Sequence, residues 1–177
     1  QSTLEAHQDE IEFENWILER VKPNINSRIC KYFEFAKRKV SLINQNLSTD
    51  QIREKICTEQ DIKLTYEFMQ LTKCWLQLRH KGNDGLVNKF IESFNGPVLV
   101  ENEKRSSASN KARDSLTELQ TASILEHEFD LVEFETPCDV NLISKTNRTY
   151  VECKRPNAFK NVRKNINKAY KQLKKVR

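Results

Sequence analysis

Three residues toward the C-terminal end have types and spacing suited to chemistry on a phosphate. Glu152 and Lys154 stand two apart in the run Thr149–Lys154, and Asp139 precedes Glu152 by twelve intervening residues. Residues two apart in a β-strand share a face, so Glu152 and Lys154 project together while Cys153 points the other way, into a core. Asp139 opens the preceding run Asp139–Ser144, and pairing the two runs as a hairpin sets its carboxylate beside Glu152. Converging carboxylates repel one another unless a cation compensates. Mg²⁺ suits that task because it takes one or two carboxylates, keeps several waters and uses phosphate oxygens as further ligands. Mn²⁺ fits the same oxygen donors. The bland alternative is a same-face surface ion pair, which contributes little to stability.

Positioning these residues takes a small sheet and a helix to back it, and the surrounding sequence supplies both. Ala112 to about Glu128 reads as a helix with Leu116, Leu119, Ala122, Ser123 and Leu125 on its packing side. Asp130–Glu135, Asp139–Ser144 and Thr149–Lys154 read as three strands, separated by Pro137 and by a turn over Lys145–Arg148. After Pro156, Val162, Ile166, Ala169, Leu173 and Val176 repeat at 4-3-4-3 spacing, which predicts an amphipathic helix. Its apolar stripe is expected to pack on the sheet. Lys164, Lys168, Lys171 and Lys175 then face outward, and Tyr170 either packs or stacks on a base.

The first hundred residues read as helices. Phe13, Trp16, Ile17 and Val21 mark one, and Ile29, Phe33, Ala36, Val40 and Ile43 a second after Pro23. Ser48 or Thr49 can cap a short third helix through Ile52 and Ile56. Leu64, Phe68, Leu71, Trp75 and Leu78 form one stripe of the next helix, and Ile62, Tyr66, Met69 and Leu76 form another. A helix apolar on two faces is expected to lie centrally. Leu86, Phe90 and Phe94 begin a further helix after Gly82 and Gly85. The polar run 101–111 has no apolar periodicity and reads as a linker or mobile loop. The expected organisation is a helical domain over 1–100, this linker, and an α/β domain over 112–177.

The run Pro137-Cys138-Asp139, followed after twelve residues by Glu152-Cys153-Lys154, resembles the signature of the PD-(D/E)XK nuclease superfamily. One residue separates the Pro from the Asp here. The α-β-β-β-α order over about Ala112–Arg177 is similar to that superfamily's restriction-endonuclease-like core, and residues 1–100 contribute nothing to the likeness. The resemblance implies an α+β or α/β chain, with an N-terminal helical domain before an αβββα nuclease core. It implies Asp139 and Glu152 as metal ligands, with the backbone carbonyl of Cys153 as a further one. Lys154 would orient or help deprotonate the attacking water, with a pKa depressed by the nearby cation. Many members add a Glu from the first core helix, for which Glu118 is the best match and Glu126 the alternative. The superfamily core also continues into another strand after its second helix, so the natural protein is expected to extend past Arg177.

Charge distribution agrees with a polyanionic partner. Residues 1–100 carry 14 basic and 14 acidic side chains, whereas residues 101–177 carry 16 and 11. No acidic residue follows Glu152, while Arg155, Lys160, Arg163, Lys164, Lys168, Lys171 and Lys175 are among the basic ones. Such a segment would grip a phosphate backbone without reading sequence. The expected function is therefore Mg²⁺-dependent hydrolysis of phosphodiester bonds in nucleic acid, DNA before RNA, as an endonuclease. The competing expectation is a non-catalytic module that keeps the fold and binds nucleic acid or protein. The neutral helical region is left to position substrate, form a homodimer or bind a protein partner. No apolar run approaches the length of a membrane span, and no Gly-rich phosphate loop is present. Five cysteines without a C-x-x-C pair indicate reduced thiols and an intracellular setting.

Overall fold

The computed structural model describes residues 3–20, 28–43, 45, 47–56, 58–95, 111–134, 138–155 and 159–175. Helices α1 (Thr3–Arg20), α2 (Arg28–Ile43), α3 (Thr49–Ile56), α4 (Glu59–Leu78), α5 (Asp84–Phe94) and α6 (Lys111–Leu125) come first. Strands β1 (Leu131–Glu133), β2 (Val140–Ile143) and β3 (Arg148–Val151) follow, then helix α7 (Val162–Leu173). The fold is α+β: many helices and one small antiparallel sheet in the order β1-β2-β3. The chain divides into two compact units. One comprises Gln1–Thr72 and Phe94–Asn110, the other Lys73–Ser93 and Lys111–Arg177.

In the first unit, side chains close the helix starts. Ser48 Oγ accepts the Gln51 N–H at 3.3 Å while Gln51 Oε1 accepts the Ser48 N–H at 3.0 Å, a reciprocal cap for α3. Thr58 and Asp61 do the same for α4, and Asp61 also receives Arg38 of α2 at 2.7 Å. Phe13, Ile17, Ile29, Leu64, Phe68 and Leu71 form the core. Phe68 lies 5.4 Å from Phe13 and stacks on Tyr32. Arg28 and Glu67 form an ion pair in which the Arg is 4% exposed. The second apolar stripe of α4 corrects the expectation of a centrally buried helix. Ile62, Tyr66 and Met69 are exposed and Leu76 is half-buried, whereas the Leu64–Phe68–Leu71 face is packed. Val21, and the side chains of Val40, Ile43, Ile52 and Ile56, lie outside the described residues, as does the linker 101–110.

In the second unit, Leu78, Leu86 and Phe90 share a core with Leu119, Ala122, Val132, Val140 and Leu142. Alternation along β2 puts Val140 and Leu142 on one face, opposite Val151 and Thr149 of β3. The turn between α4 and α5 serves β1 as an edge partner. Lys81 O accepts the Val132 N–H at 2.8 Å, and Gly82 bridges to Val132 in parallel. Glycine is required there, because a Cβ on Gly82 would fall 2.6 Å from the Leu86 Cβ.

The helix expected to run to about Glu128 ends at Leu125 and continues as a single 3₁₀ turn over Glu126–Glu128. The third strand ends at Val151 rather than Lys154. There the ladder gives way to a side chain: Asp139 Oδ2 accepts the Cys153 N–H at 2.7 Å. α7 corrects a further expectation. None of its residues is buried: Val162, Ala169 and Leu173 are half-buried and Ile166 is 62% exposed, so its apolar stripe is only partly covered.

Candidate functional site

The register that pairs Val140 with Val151 brings the residues flanking them together, Asp139 before β2 and Glu152 after β3. Asp139 reaches across to hold the backbone of Cys153, which fixes the segment Glu152–Arg155 beside it. Lys154 folds back to both carboxylates. Its Nζ lies 3.4 Å from Asp139 Oδ2 and donates to Glu152 Oε1. Thus Glu152 and Lys154 share a face although both lie just beyond the strand. The Glu152 side chain is 1% exposed, and its Oε2 is buried with no hydrogen-bond partner among the described residues.

Helix α6 lies along this segment and is tied to it at both ends. Asp114 accepts from Arg155 Nε at 3.3 Å, and Thr121 lies near enough to the Cys153 thiol to oppose part of the rise that burial gives its pKa. Between them stands Glu118, buried, near enough to Asp139 to feel its charge. Glu118 is ion-paired with Lys89 of α5 at 2.6 Å. Lys89 also lies 3.6 Å from Glu92, which receives Lys111 at 2.6 Å and the Ser115 hydroxyl at 2.9 Å. Cations and anions therefore alternate from Lys111 through Glu92 and Lys89 to Glu118, which in turn feels the like charge of Asp139.

The electrostatics follow from burial and like charge. Burial raises the Glu152 carboxyl above its ordinary range, and repulsion from Asp139 adds to it, against the pull of Lys154. Burial likewise raises Glu118, with Asp139 and Glu92 adding to the effect and Lys89 opposing it. Lys154 would be lowered by burial, but Glu152 and Asp139 outweigh that and hold it above the usual ammonium range. Lys89 behaves the same way under Glu118, Glu92 and Asp139. Three carboxylates, Glu118, Asp139 and Glu152, thus face two ammonium groups, and the surplus is negative.

This donor set fits a hard divalent cation. Mg²⁺ needs only one or two protein carboxylates, and a buried carboxylate oxygen without a donor is costly unless something positive meets it. Among the described residues no group of three or more His, Cys, Asp or Glu forms a ready cage. Asp139 and Glu152 are the pair the fold brings together, while Glu118 is engaged by Lys89. Glu126, the alternative to Glu118, pairs with Lys81 instead.

Of the cations expected to hold nucleic acid, Arg155 is half-buried against Asp114. Lys160, Arg163, Lys164, Lys168 and Lys171 line one open concave surface together with Asn167, and Lys175 is exposed on the following turn. Tyr170 lies outward with Lys174 4.7 Å from its ring centroid, so it does not serve as core packing. Lys89 escapes a reading of the sequence, because it sits on a helix assigned by spacing to a separate domain and no local pattern links it to Glu118.

The raised Glu152 carboxyl has a measurable consequence. A carboxyl whose folded pKa lies above its unfolded one destabilises the fold once ionised. That cost is absent below the unfolded value, about 4.3 for Glu, and it grows as pH rises through the folded value. Glu152→Gln is expected to raise Tm by a few degrees near neutral pH without divalent cations, and by progressively less toward about pH 4. Thermal melts across that range check it; a variant less stable than wild type at neutral pH would contradict it.

No protein-family model, curated protein or solved structure matches the chain. Among the described residues no helix is long and apolar enough to cross a membrane.

Proposed function

We propose that this protein is a metal-dependent nuclease of the PD-(D/E)XK type, hydrolysing phosphodiester bonds in nucleic acid, with DNA the leading substrate. The observation that carries this reading is the convergence of Asp139, Glu152 and Lys154 from the ends of two paired strands, with Glu152 Oε2 buried and without a hydrogen-bond partner among the described residues. Asp139 also holds the Cys153 N–H, but Glu152 beside it carries a like-charge and burial cost that Lys154 offsets only in part and that a bound cation would offset further.

Asp139 and Glu152 would hold Mg²⁺ or Mn²⁺, with the Cys153 carbonyl as a further oxygen donor. A cation held there would acidify a bound water and offset charge on the phosphate. Lys154 holds its proton in the metal-free site, which suits it to stabilise charge on a phosphate oxygen through a charge-assisted hydrogen bond. A nearby cation would lower its pKa and let it orient or deprotonate the attacking water. Glu118 adds negative charge from α6. Lys160, Arg163, Lys164, Lys168 and Lys171 supply a backbone grip that is independent of sequence.

The test is incubation of purified protein with linear, circular and single-stranded DNA and with RNA, in Mg²⁺ or Mn²⁺, beside Glu152→Ala. Cleavage that needs the cation and is lost in the variant supports the proposal. Binding without cleavage under every metal would favour the non-catalytic module. Equal cleavage by both proteins would overturn the site.

The grip carries its own prediction. Lys164→Glu/Lys168→Glu/Lys171→Glu is expected to weaken binding to a DNA duplex about tenfold or more at moderate salt. The slope of log affinity against log salt should fall by about 0.9 for each phosphate that is no longer neutralised. Fluorescence anisotropy in EDTA reads both quantities, and an unchanged slope would remove α7 from the interface.

A further inference from the structure

We infer that the outer face of α7 binds an unpaired strand of nucleic acid, with bases stacked on Phe159 and Tyr170 and phosphates held by the cations beside them. This deepens the nuclease reading and rests on it for the strand's role as substrate. The contact itself needs no metal.

The surface is built from one helix and the turn that leads into it. Phe159, on the 3₁₀ turn Phe159–Asn161, is 94% exposed, and Ile166 and Tyr170 on α7 are 62% and 60% exposed. At about 100° per residue, Tyr170 lies about 40° around the helix from Ile166, and Arg163 about 20° further on. Asn167, Lys171, Lys164 and Lys168 continue the same arc, and together with Lys160 and Arg163 they line one concave surface. Val162, Ala169 and Leu173 lie on the other side of Ile166 and are half-buried, so the fold already uses that part of the stripe.

A single exposed apolar side chain is ordinary. Two exposed aromatic rings bordering a cationic groove fit an occupant that is anionic and also offers flat apolar faces. A duplex meets only the first condition, because its bases present their edges in the grooves. A single strand meets both, since its phosphates follow a positive groove while its bases stack on aromatic side chains. An anionic membrane would take a wide apolar face, and half of this stripe is already covered. Lys174 Nζ stands 4.7 Å from the Tyr170 ring centroid, a cation–π contact that orients the ring and sets an ammonium beside it. Phe159 follows Lys154 by five residues, so their Cα atoms are at most about 18 Å apart. That is the length of about five nucleotides of a stacked strand.

Fluorescence anisotropy in EDTA tests the contact. It compares the affinity of the full chain for oligothymidylate, for an abasic strand of equal length and for a duplex. Phe159→Ala/Tyr170→Ala is expected to bind oligothymidylate about 25-fold more weakly, about fivefold for each ring. Its binding to the abasic strand and the duplex should change little, with an unchanged salt slope. Phe159→Tyr/Tyr170→Phe keeps both rings and should bind as wild type does. Equal losses on oligothymidylate and the abasic strand, or no loss on either, would overturn the inference. So would binding of wild type to phosphatidylserine-containing vesicles that the double alanine variant loses while it keeps its affinity for oligothymidylate. Cleavage in Mn²⁺ is read separately. Ring-dependent strand binding without any cleavage would support the contact and overturn the nuclease reading. Cleavage with ring-independent binding would leave the nuclease reading standing and overturn the inference.

Discussion

Replacing Lys154 by Met is expected to slow divalent-cation-dependent cleavage about a thousandfold while leaving the site able to bind Mn²⁺. Lys154 is a positive group in contact with both Asp139 and Glu152. Its loss removes the charge-assisted hydrogen bond available to a phosphate oxygen, but neither carboxylate. Asp139→Asn is expected to lose cleavage and metal together, because it removes the charge of a proposed ligand while its amide oxygen can still accept the Cys153 N–H. Lys154→Arg should not rescue the rate, since the planar guanidinium cannot reproduce a compact ammonium packed between two carboxylates. Single-turnover rates beside Mn²⁺ titration distinguish the three variants. Cleavage by Lys154→Met within about tenfold of wild type would be far from the loss expected for such a group and would remove Lys154 from the chemistry.

The second large effect is on stability and lies in the helical unit. Arg28→Ala is expected to destabilise it by about 3–5 kcal/mol, the usual cost of leaving one member of a buried ion pair behind. Arg28 is 4% and Glu67 14% exposed, so the Glu67 carboxylate would lose this ion pair with little access to water. They line a small cavity of about 20 Å³ with Tyr32, Phe68 and Phe94. Burial, reinforced by Glu10 and Glu14, raises the Tyr32 phenol far above its ordinary range, so it stays protonated at neutral pH and adds no charge beside the pair. Arg28→Met/Glu67→Leu should recover most of the loss, because the desolvation cost goes with both charges. Urea unfolding followed by circular dichroism measures both. A loss below about 1 kcal/mol for Arg28→Ala would place the pair among surface bridges.

How far each feature could be read from the sequence follows from the range of the interaction behind it. The Leu64–Phe68–Leu71–Trp75–Leu78 stripe and the Leu86–Phe90–Phe94 stripe are buried as their spacing implies. One helical face repeats within a few residues, so local pattern suffices. Asp139 and Glu152 could be brought together from the period of two in adjacent strands and one short turn. The end of β3 could not, because it depends on the Asp139 side chain, 14 positions from Cys153, taking the place of a ladder bond. Nor could the exposure of Ile62, Tyr66 and Met69, or of Ile166 on α7, since an apolar face states a need for cover and not what supplies it. The grouping of Lys73–Ser93 with the sheet was hidden for the same reason. It rests on the backbone of Lys81 and Gly82 meeting β1, and peptide groups carry no sequence signal. Lys89 came within reach of Glu118 only through that grouping.

The most direct test of the central claim is anomalous diffraction from crystals of the wild-type protein soaked in Mn²⁺. The account predicts a peak bonded to carboxylate oxygens of both Asp139 and Glu152, with Lys154 Nζ displaced from between them. Soaked crystals with no peak there, or with Lys154 still bridging the two carboxylates and Mn²⁺ bound elsewhere, would contradict it.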